Sequence, residues 1–196
     1  MNDEVFKSIL EFMEMANDHA QNWRQKMAMT KGMYSSDKDN WQTPPELFKK
    51  LDDDFHFTLD PASDGNNALC EKHYTAKEDG LNQSWQGEVV FLNPPYGRDM
   101  IKWVQKARAE WLKGDCTIVL LLASRTDTKW FQDYIYSVDG AKWNFTRGRV
   151  KFIDPDTGKP AGSPAFGSVI VEFHKSKVYK RMFIDVWEHR MLSWYK

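Results

Sequence analysis

One short run, Asn93-Pro94-Pro95-Tyr96-Gly97, combines hydrogen-bond acceptors with a flat aromatic ring. The side-chain oxygen of Asn93 can accept one hydrogen bond, and the carbonyl of Pro94 can accept another. Each proline fixes its own φ and favours extended backbone in the preceding residue, so the run is stiff and its prolines carry no N–H. The exocyclic amine of a purine has a delocalised lone pair and reacts only when acceptors draw its nitrogen toward tetrahedral geometry. The run therefore predicts chemistry on such an amine.

Tyr96 adds a ring that can stack on a planar base rotated out of its duplex. The alternative interpretation is a simple turn, because Asn and Pro are common in turns. Residues 89–92, directly before the run, are continuously apolar, which predicts a strand buried on both faces. Ligands of open α/β sheets bind beyond the carboxyl ends of such strands, so the location favours the functional interpretation.

The surrounding pattern predicts the elements that position this run. Residues 117–122 and 167–173 read as further strands, and Met100, Val104, Ala107 and Trp111 trace a helix that stops at Gly114. We expect another helix over residues 128–136 and another strand over residues 149–153. Buried strands that alternate with helices predict an α/β fold of Rossmann-like type, a three-layer sandwich with a mostly parallel sheet.

The segment before the run predicts a helix followed by a strand. Thr43 reads as the cap of a helix that has Pro44 at its first position and runs to about Asp53. Residues 55–59 read as a strand that ends at Asp60-Pro61. The stretch from Asp60 to Asn93 is short for two full strand–helix units, so we expect a sheet trimmed between them.

The length of 196 residues fits one domain. We expect an N-terminal helical extension over residues 1–39, a catalytic domain over residues 40–174 and a C-terminal helix over residues 175–196. The 27 basic and 28 acidic residues nearly cancel, so global charge does not indicate a nucleic-acid partner. The two cysteines and five histidines show no metal-ligand spacing, so no metal is expected. Without a leader or a long apolar run, the sequence predicts no membrane association and a cytoplasmic location.

Several motifs in one order resemble the phage-type DNA N6-adenine methyltransferases, from about Asn40 to Phe173. The similarity is carried by the following segments: Trp41-Gln42-Thr43-Pro44, Leu59-Asp60-Pro61-Ala62, Asp79-Gly80-Leu81, Asn93-Pro94-Pro95-Tyr96-Gly97, Arg125-Thr126-Asp127-Thr128, Gly148-Arg149-Val150-Lys151-Phe152 and Ala165-Phe166-Gly167-Ser168. The resemblance implies a Rossmann-like methyltransferase fold, S-adenosylmethionine as the donor and adenine in DNA as the acceptor.

The resemblance also implies roles for individual residues. Asn93, Pro94, Pro95 and Tyr96 would form the catalytic loop. The residues expected to bind the cofactor are Thr43 and Pro44 at its methionine end, Asp60 and Pro61 at its ammonium group, Asp79 at its adenine amine, and Trp41. One departure stands out, because the glycine-rich loop expected after the first strand contains a single glycine, Gly65.

Cations near the predicted strand ends and loops could hold DNA phosphates. The residues expected to do so are Arg98, Arg125, Arg149 and Lys151. No segment between the motifs is long enough for a separate target-recognition domain, so a short or loosely defined target is expected. Two alternatives remain open: the same fold acting on RNA or on a protein glutamine amide, and a catalytically silent DNA-binding module. The oligomeric state is not predicted.

Overall fold

The computed structural model describes residues 40–162 and 164–174. The predicted N-terminal extension and C-terminal helix lie outside the described residues. Within them, six strands form one sheet: β1 (Leu59–Asp60), β2 (Lys72–His73), β3 (Val89–Leu92), β4 (Thr117–Ala123), β5 (Ala141–Phe145) and β6 (Ser168–Phe173). The helices are α1 (Pro45–Phe55), α2 (Met100–Leu112) and the short α3 (Lys129–Phe131), which continues as a π-helical turn, Gln132–Tyr136. The predicted α/β fold is confirmed.

The strands lie in the order β2-β1-β3-β4-β6-β5. β1 pairs in parallel with β2 and β3, and β3 pairs in parallel with β4. β6 pairs antiparallel with both β4 and β5. It follows that the other five strands share one direction and β6 is reversed.

The carboxyl ends of β1, β3, β4 and β5 therefore meet at one edge of the sheet, which we call the carboxyl edge. Leu92, the last residue of β3, pairs with Leu120, and β4 continues past this pair to Ala123. β1 ends earlier still, since Leu59 pairs with Val90. The edge is stepped, and the run at residues 93–97 begins in the step between β1 and β4.

Helices pack on both faces of the sheet because successive strand residues point to opposite sides. Val90 and Leu120 belong to the core cluster that contains Val104 of α2 and Phe131 of α3. A second core cluster covers the other face, where residues of the strands pack with α1: Phe91, Val119, Leu121, Ile170, Leu51 and Phe55. Apolar runs buried on both faces, as predicted for β3 and β4, are what this arrangement requires.

The predicted cap at Thr43 is wrong. α1 begins at Pro45, Pro44 occupies the capping position with φ −59° and ψ 131°, and no side chain caps the helix. A residue that precedes proline disfavours helical backbone, so Pro45 holds Pro44 extended and delays the start of the helix. Thr43 is buried and takes no part in capping.

Two predicted strands also differ from the structure. The prediction of a strand at residues 149–153 is wrong, because this segment makes only isolated bridges, from Ile153 to Gln42 and to Pro160. The position beside β6 at the outer edge of the sheet is occupied by β5 instead. The strand at residues 55–59 is shorter than predicted. α1 continues through Phe55 and ends at His56 in the left-handed conformation (φ 55°), which leaves only Leu59–Asp60 in the ladder.

Candidate active site

The acceptor loop, residues 93–97, follows β3 at the carboxyl edge. The Asn93 side-chain nitrogen donates a 2.7 Å hydrogen bond to the carbonyl of Trp41. The Asn93 side-chain oxygen is buried and has no hydrogen-bond partner. A buried acceptor without a partner costs roughly 1–3 kcal/mol, so its persistence needs an explanation. A donor from a ligand would satisfy it.

Thr43 presents a second such oxygen close by. Its side chain is 5% exposed, and its hydroxyl Oγ1 is buried with no hydrogen-bond partner. Thr43 lies two residues along the chain from Trp41, whose carbonyl holds Asn93. The structure thus brings Trp41, Thr43 and Asn93 together, with two unpaired oxygens in one part of the molecule.

Tyr96 folds back over the step in the sheet. Its hydroxyl donates to the Leu121 carbonyl of β4 at 3.4 Å, and its half-buried ring meets Phe152 edge-on with 5.8 Å between centroids. Burial raises the pKa of the Tyr96 phenol, so it stays protonated at neutral pH. Pro94 is buried and Pro95 is half-buried. The loop is therefore held at both ends, by Trp41 at Asn93 and by β4 at Tyr96.

Asp60 ends β1, the strand beside β3, and is 5% exposed. Its two carboxylate oxygens accept the backbone N–H groups of Ala62 and Leu69, each at 3.2 Å. Burial raises the pKa of Asp60, and these two hydrogen bonds only partly oppose the rise. A neighbouring cation would stabilise the ionised carboxylate.

The turn after β1 is fixed by side chains where the family pattern has glycines. Asn67 Oδ1 accepts the Asp64 N–H at 2.8 Å and the Ser63 hydroxyl at 3.1 Å. Asp64 Oδ1 in turn accepts the N–H groups of Asn66 at 2.8 Å and Asn67 at 3.0 Å. These bonds define the loop conformation without further glycines.

Gly80, next to Asp79, packs closely on Pro61. A Cβ atom at residue 80 would lie 2.1 Å from the Pro61 carbonyl oxygen, so only glycine allows this approach. Asp79 is exposed, and its carboxylate accepts the Leu81 N–H at 3.2 Å and the Asn82 side-chain amide at 2.7 Å. The sequence analysis included Gly80 in a motif but gave it no role. Its position beside a candidate site residue could have indicated a close backbone approach.

The four predicted DNA-binding cations are exposed: Arg98, Arg125, Arg149 and Lys151. Each lies after a strand whose carboxyl end is at the carboxyl edge, namely β3, β4 or β5. The Arg125 guanidinium lies over the Phe166 ring at 5.1 Å, and Arg149 donates to the Pro164 carbonyl. Phe166 was missed as a partner of these cations, because the two segments are distant in sequence.

Within residues 40–162 and 164–174, no helix is long and apolar enough to cross a membrane. No group of three or more His, Cys, Asp or Glu side chains in the same residues is arranged to hold a metal ion.

Known proteins that resemble this chain include DNA adenine methyltransferases, in agreement with the chemistry expected of the acceptor loop. The family model described as DNA N-6-adenine-methyltransferase (Dam) matches residues 31–193. The DNA N-6-adenine-methyltransferase of Escherichia phage T1 is 30% identical over 168 residues, covering 76% of this chain and 69% of that protein. The protein of the same name from Haemophilus phage HP1 is 28% identical over 146 residues, covering 74% of this chain and 83% of that protein.

Proposed function

Because the chain belongs to the DNA N-6-adenine-methyltransferase (Dam) family, we propose that it transfers a methyl group from S-adenosylmethionine to the N6 amine of adenine in DNA. Methylation of DNA adenine is the activity that its membership of this family supports. The observation that carries the local chemistry is the buried Asn93 side-chain oxygen without a hydrogen-bond partner. It is an acceptor that the protein alone leaves unused.

Asn93 and Pro94 act on the target amine. The hydrogen bond from the Asn93 side-chain nitrogen to the Trp41 carbonyl fixes the orientation of the amide, because only the nitrogen can donate to a carbonyl. The amide oxygen therefore remains as the acceptor. That oxygen and the Pro94 carbonyl accept the two N6–H groups and draw the nitrogen toward tetrahedral geometry. The nitrogen lone pair becomes available to form the new N–C bond, and one N6 proton is then released. These hydrogen bonds strengthen as the amine gains positive charge, so they favour the transition state over the bound substrate.

The donor supplies an electrophilic methyl group on a sulfonium and leaves as a thioether. The residues present fit its charged methionine end: Asp60 is a buried carboxylate whose raised pKa a neighbouring ammonium would lower, and Thr43 has an unpaired buried hydroxyl. The chain leaves β1 toward β2 and later returns to β3 on the other side of β1. Such a change of direction opens the crevice where open α/β sheets bind ligands. β1 and β3 flank this crevice; Asp60 is the last residue of β1, and Asn93 directly follows β3.

Three further roles support the same function. Asp79 is the residue expected to accept from the cofactor's adenine amine, and its neighbour Gly80 packs closely on Pro61, which follows Asp60. The Tyr96 ring stacks on a flipped adenine, and the exposed cations Arg98, Arg125, Arg149 and Lys151 contact phosphates. A Rossmann-like methyltransferase arrangement is supported by helices on both faces and by a single reversed strand, β6.

A methyl-transfer assay tests the function. Purified full-length protein is offered tritiated S-adenosylmethionine with DNA, RNA and a protein mixture separately, and labelled DNA is hydrolysed to identify the modified base. We expect label in DNA as N6-methyladenine. Label only in RNA or protein would overturn the DNA assignment, and absence of S-adenosylmethionine binding in calorimetry would favour the silent DNA-binding module. The cytoplasmic location stays a prediction.

A further inference from the structure

Part of the connection between β5 and β6 folds into a small hairpin, which we call the 152–161 hairpin. The Ala161 N–H donates to the Phe152 carbonyl at 2.7 Å, and the Asp154 N–H donates to the Lys159 carbonyl at 2.9 Å. These bonds fix Phe152 and Ile153 at the base of the hairpin. Neither residue was assigned a role from the sequence, yet both face parts of the site.

Ile153 sets the position of the Trp41 carbonyl, which orients the Asn93 side chain. The Gln42 N–H donates to the Ile153 carbonyl at 3.1 Å, and the Ile153 N–H donates to the Gln42 carbonyl at 2.9 Å. Both backbone groups of Gln42 thus face the hairpin. In extended backbone, neighbouring carbonyls point to opposite sides, so the Trp41 carbonyl faces away from the hairpin. There it accepts the 2.7 Å hydrogen bond from Asn93.

Phe152 holds the other end of the acceptor loop. It is 6% exposed, and its ring meets the Tyr96 ring edge-on at an interplanar angle of 75°. Aromatic rings in this arrangement attract each other beyond simple apolar burial. Two consecutive residues of the hairpin therefore hold the acceptor loop. Ile153 fixes Asn93 indirectly, through Trp41, and Phe152 contacts Tyr96 directly.

We propose that Phe152 and Ile153 are positioning residues for methyl transfer, which hold the Asn93 oxygen and the Tyr96 ring in register with the target amine. This inference rests on the proposed function. Lys151 directly precedes Phe152 and Arg149 lies two residues before Lys151, so the hairpin is continuous with cations proposed to contact phosphates. Displacements of about 1 Å at a reacting centre lower rates by up to about 100-fold, so small shifts of the hairpin matter.

The main test replaces Phe152 by Leu, which keeps an apolar side chain and removes the ring edge. Single-turnover methyl transfer is measured at saturating DNA and S-adenosylmethionine, together with the Kd for S-adenosylmethionine and the Tm. We expect a rate constant about tenfold lower, with the Kd changed by less than about twofold. The matched control is Phe131→Leu, because Phe131 is 1% exposed in the other core cluster and also meets a ring edge-on, that of Trp130. Its rate constant should stay within about twofold of wild type.

Two further measurements separate positioning from general stability. In a Tyr96→Leu background, Phe152→Leu should change the rate by less than about twofold, because the ring through which it acts is gone. Ile153→Pro, which removes the N–H donated to Gln42, should lower the single-turnover rate and also raise the Kd for S-adenosylmethionine, because Gln42 lies between Trp41 and Thr43.

Equal slowing by Phe152→Leu and Phe131→Leu, or a Phe152 effect that persists in the Tyr96→Leu background, would overturn the inference. A wild-type protein that leaves DNA unmethylated would instead overturn the proposed function.

Discussion

Two polar side chains with buried oxygen atoms, Asn93 and Glu110, lie at opposite edges of the sheet, and their hydrogen-bonding groups are satisfied to very different degrees. Asn93 follows β3 at the carboxyl edge, and its oxygen has no hydrogen-bond partner. Glu110 lies near the end of α2, where it contacts Trp85 and Gln86, which precede β3. The contrast separates a polar group that the protein itself satisfies from one that it leaves without a partner.

The Glu110 carboxylate is surrounded by donors. Oε1 accepts from the ammonium groups of Lys106 and Lys113, each at 2.7 Å. Oε2 accepts the Trp85 N–H at 3.1 Å and the Gln86 side-chain nitrogen at 2.9 Å. Burial raises the pKa of Glu110, but these hydrogen bonds outweigh it and lower the pKa to about 2. A charge satisfied in this way stabilises the fold and has no capacity left for chemistry.

The largest expected effect is on turnover in Asn93→Ala. Removing an acceptor used in the transition state should lower turnover about 100-fold, as single preorganised hydrogen bonds do in other enzymes. The Kd for S-adenosylmethionine should stay near wild type because the lost oxygen has no partner in the protein, whereas the Tm should fall slightly because the 2.7 Å hydrogen bond to the Trp41 carbonyl is also lost. Gln105→Ala, which truncates an exposed amide on α2, is the matched control and should leave turnover unchanged. Unchanged turnover in Asn93→Ala would remove Asn93 from the mechanism.

The converse change, Glu110→Ala, should act on stability. It leaves the buried Trp85 N–H without its acceptor and the two lysines without their carboxylate, which should lower the free energy of unfolding by roughly 2–3 kcal/mol. Denaturant titration measures this loss. Methyl transfer by the folded fraction should match wild type, so a specific loss of turnover at unchanged stability would contradict the comparison.

Asp60→Ala should raise the Kd for S-adenosylmethionine about tenfold, because the buried carboxylate no longer faces the ammonium group. Calorimetry measures the constant directly. Asp53→Ala is the control, since it removes an exposed carboxylate on α1 that pairs with Lys49 at 3.1 Å. An unaltered Kd in Asp60→Ala would show that the ammonium group binds elsewhere.

The smallest effect concerns acid stability. The pKa of Glu110 is lowered from 4.5 to about 2 in the folded protein, so its stabilisation is complete above about pH 4.5 and is lost as the pH falls toward 2. We expect its contribution to have dropped by roughly 1 kcal/mol at pH 3.5. Unfolding measured between pH 7 and pH 3 should therefore show a shallower decline for Glu110→Gln than for wild type. Parallel curves would contradict this assignment.

Much of the fold and of the catalytic loop was predictable because the signals are local. β3 and β4 are continuous apolar runs, and α2 has apolar residues at helical spacing, so a window of a few residues identifies each. The acceptor loop was predicted from its own chemistry and from the strand before it. By contrast, Thr43 was misread as a cap, since the second proline shifts the helix start by one residue.

Strand pairing was less predictable. Residues 149–153 have a stronger β pattern than β5, whose Lys142 and Asn144 disfavour a strand prediction. In the structure Lys142 lies opposite Glu172 on β6, and this lysine opposes the rise that burial causes in the pKa of Glu172. The partner strand, which is distant in sequence, decides which segment joins the sheet.

The amino-acid sequence by itself determined the chemistry of the acceptor loop and the edge of the sheet at which it lies, because both follow from neighbouring residues. Only the tertiary structure decided that the Trp41 carbonyl orients Asn93, that Gly80 packs on Pro61 and that Phe152 meets Tyr96. Each of these contacts joins segments far apart along the chain. Local propensities do not specify such contacts, which form only when the whole sheet and its two helical layers have assembled.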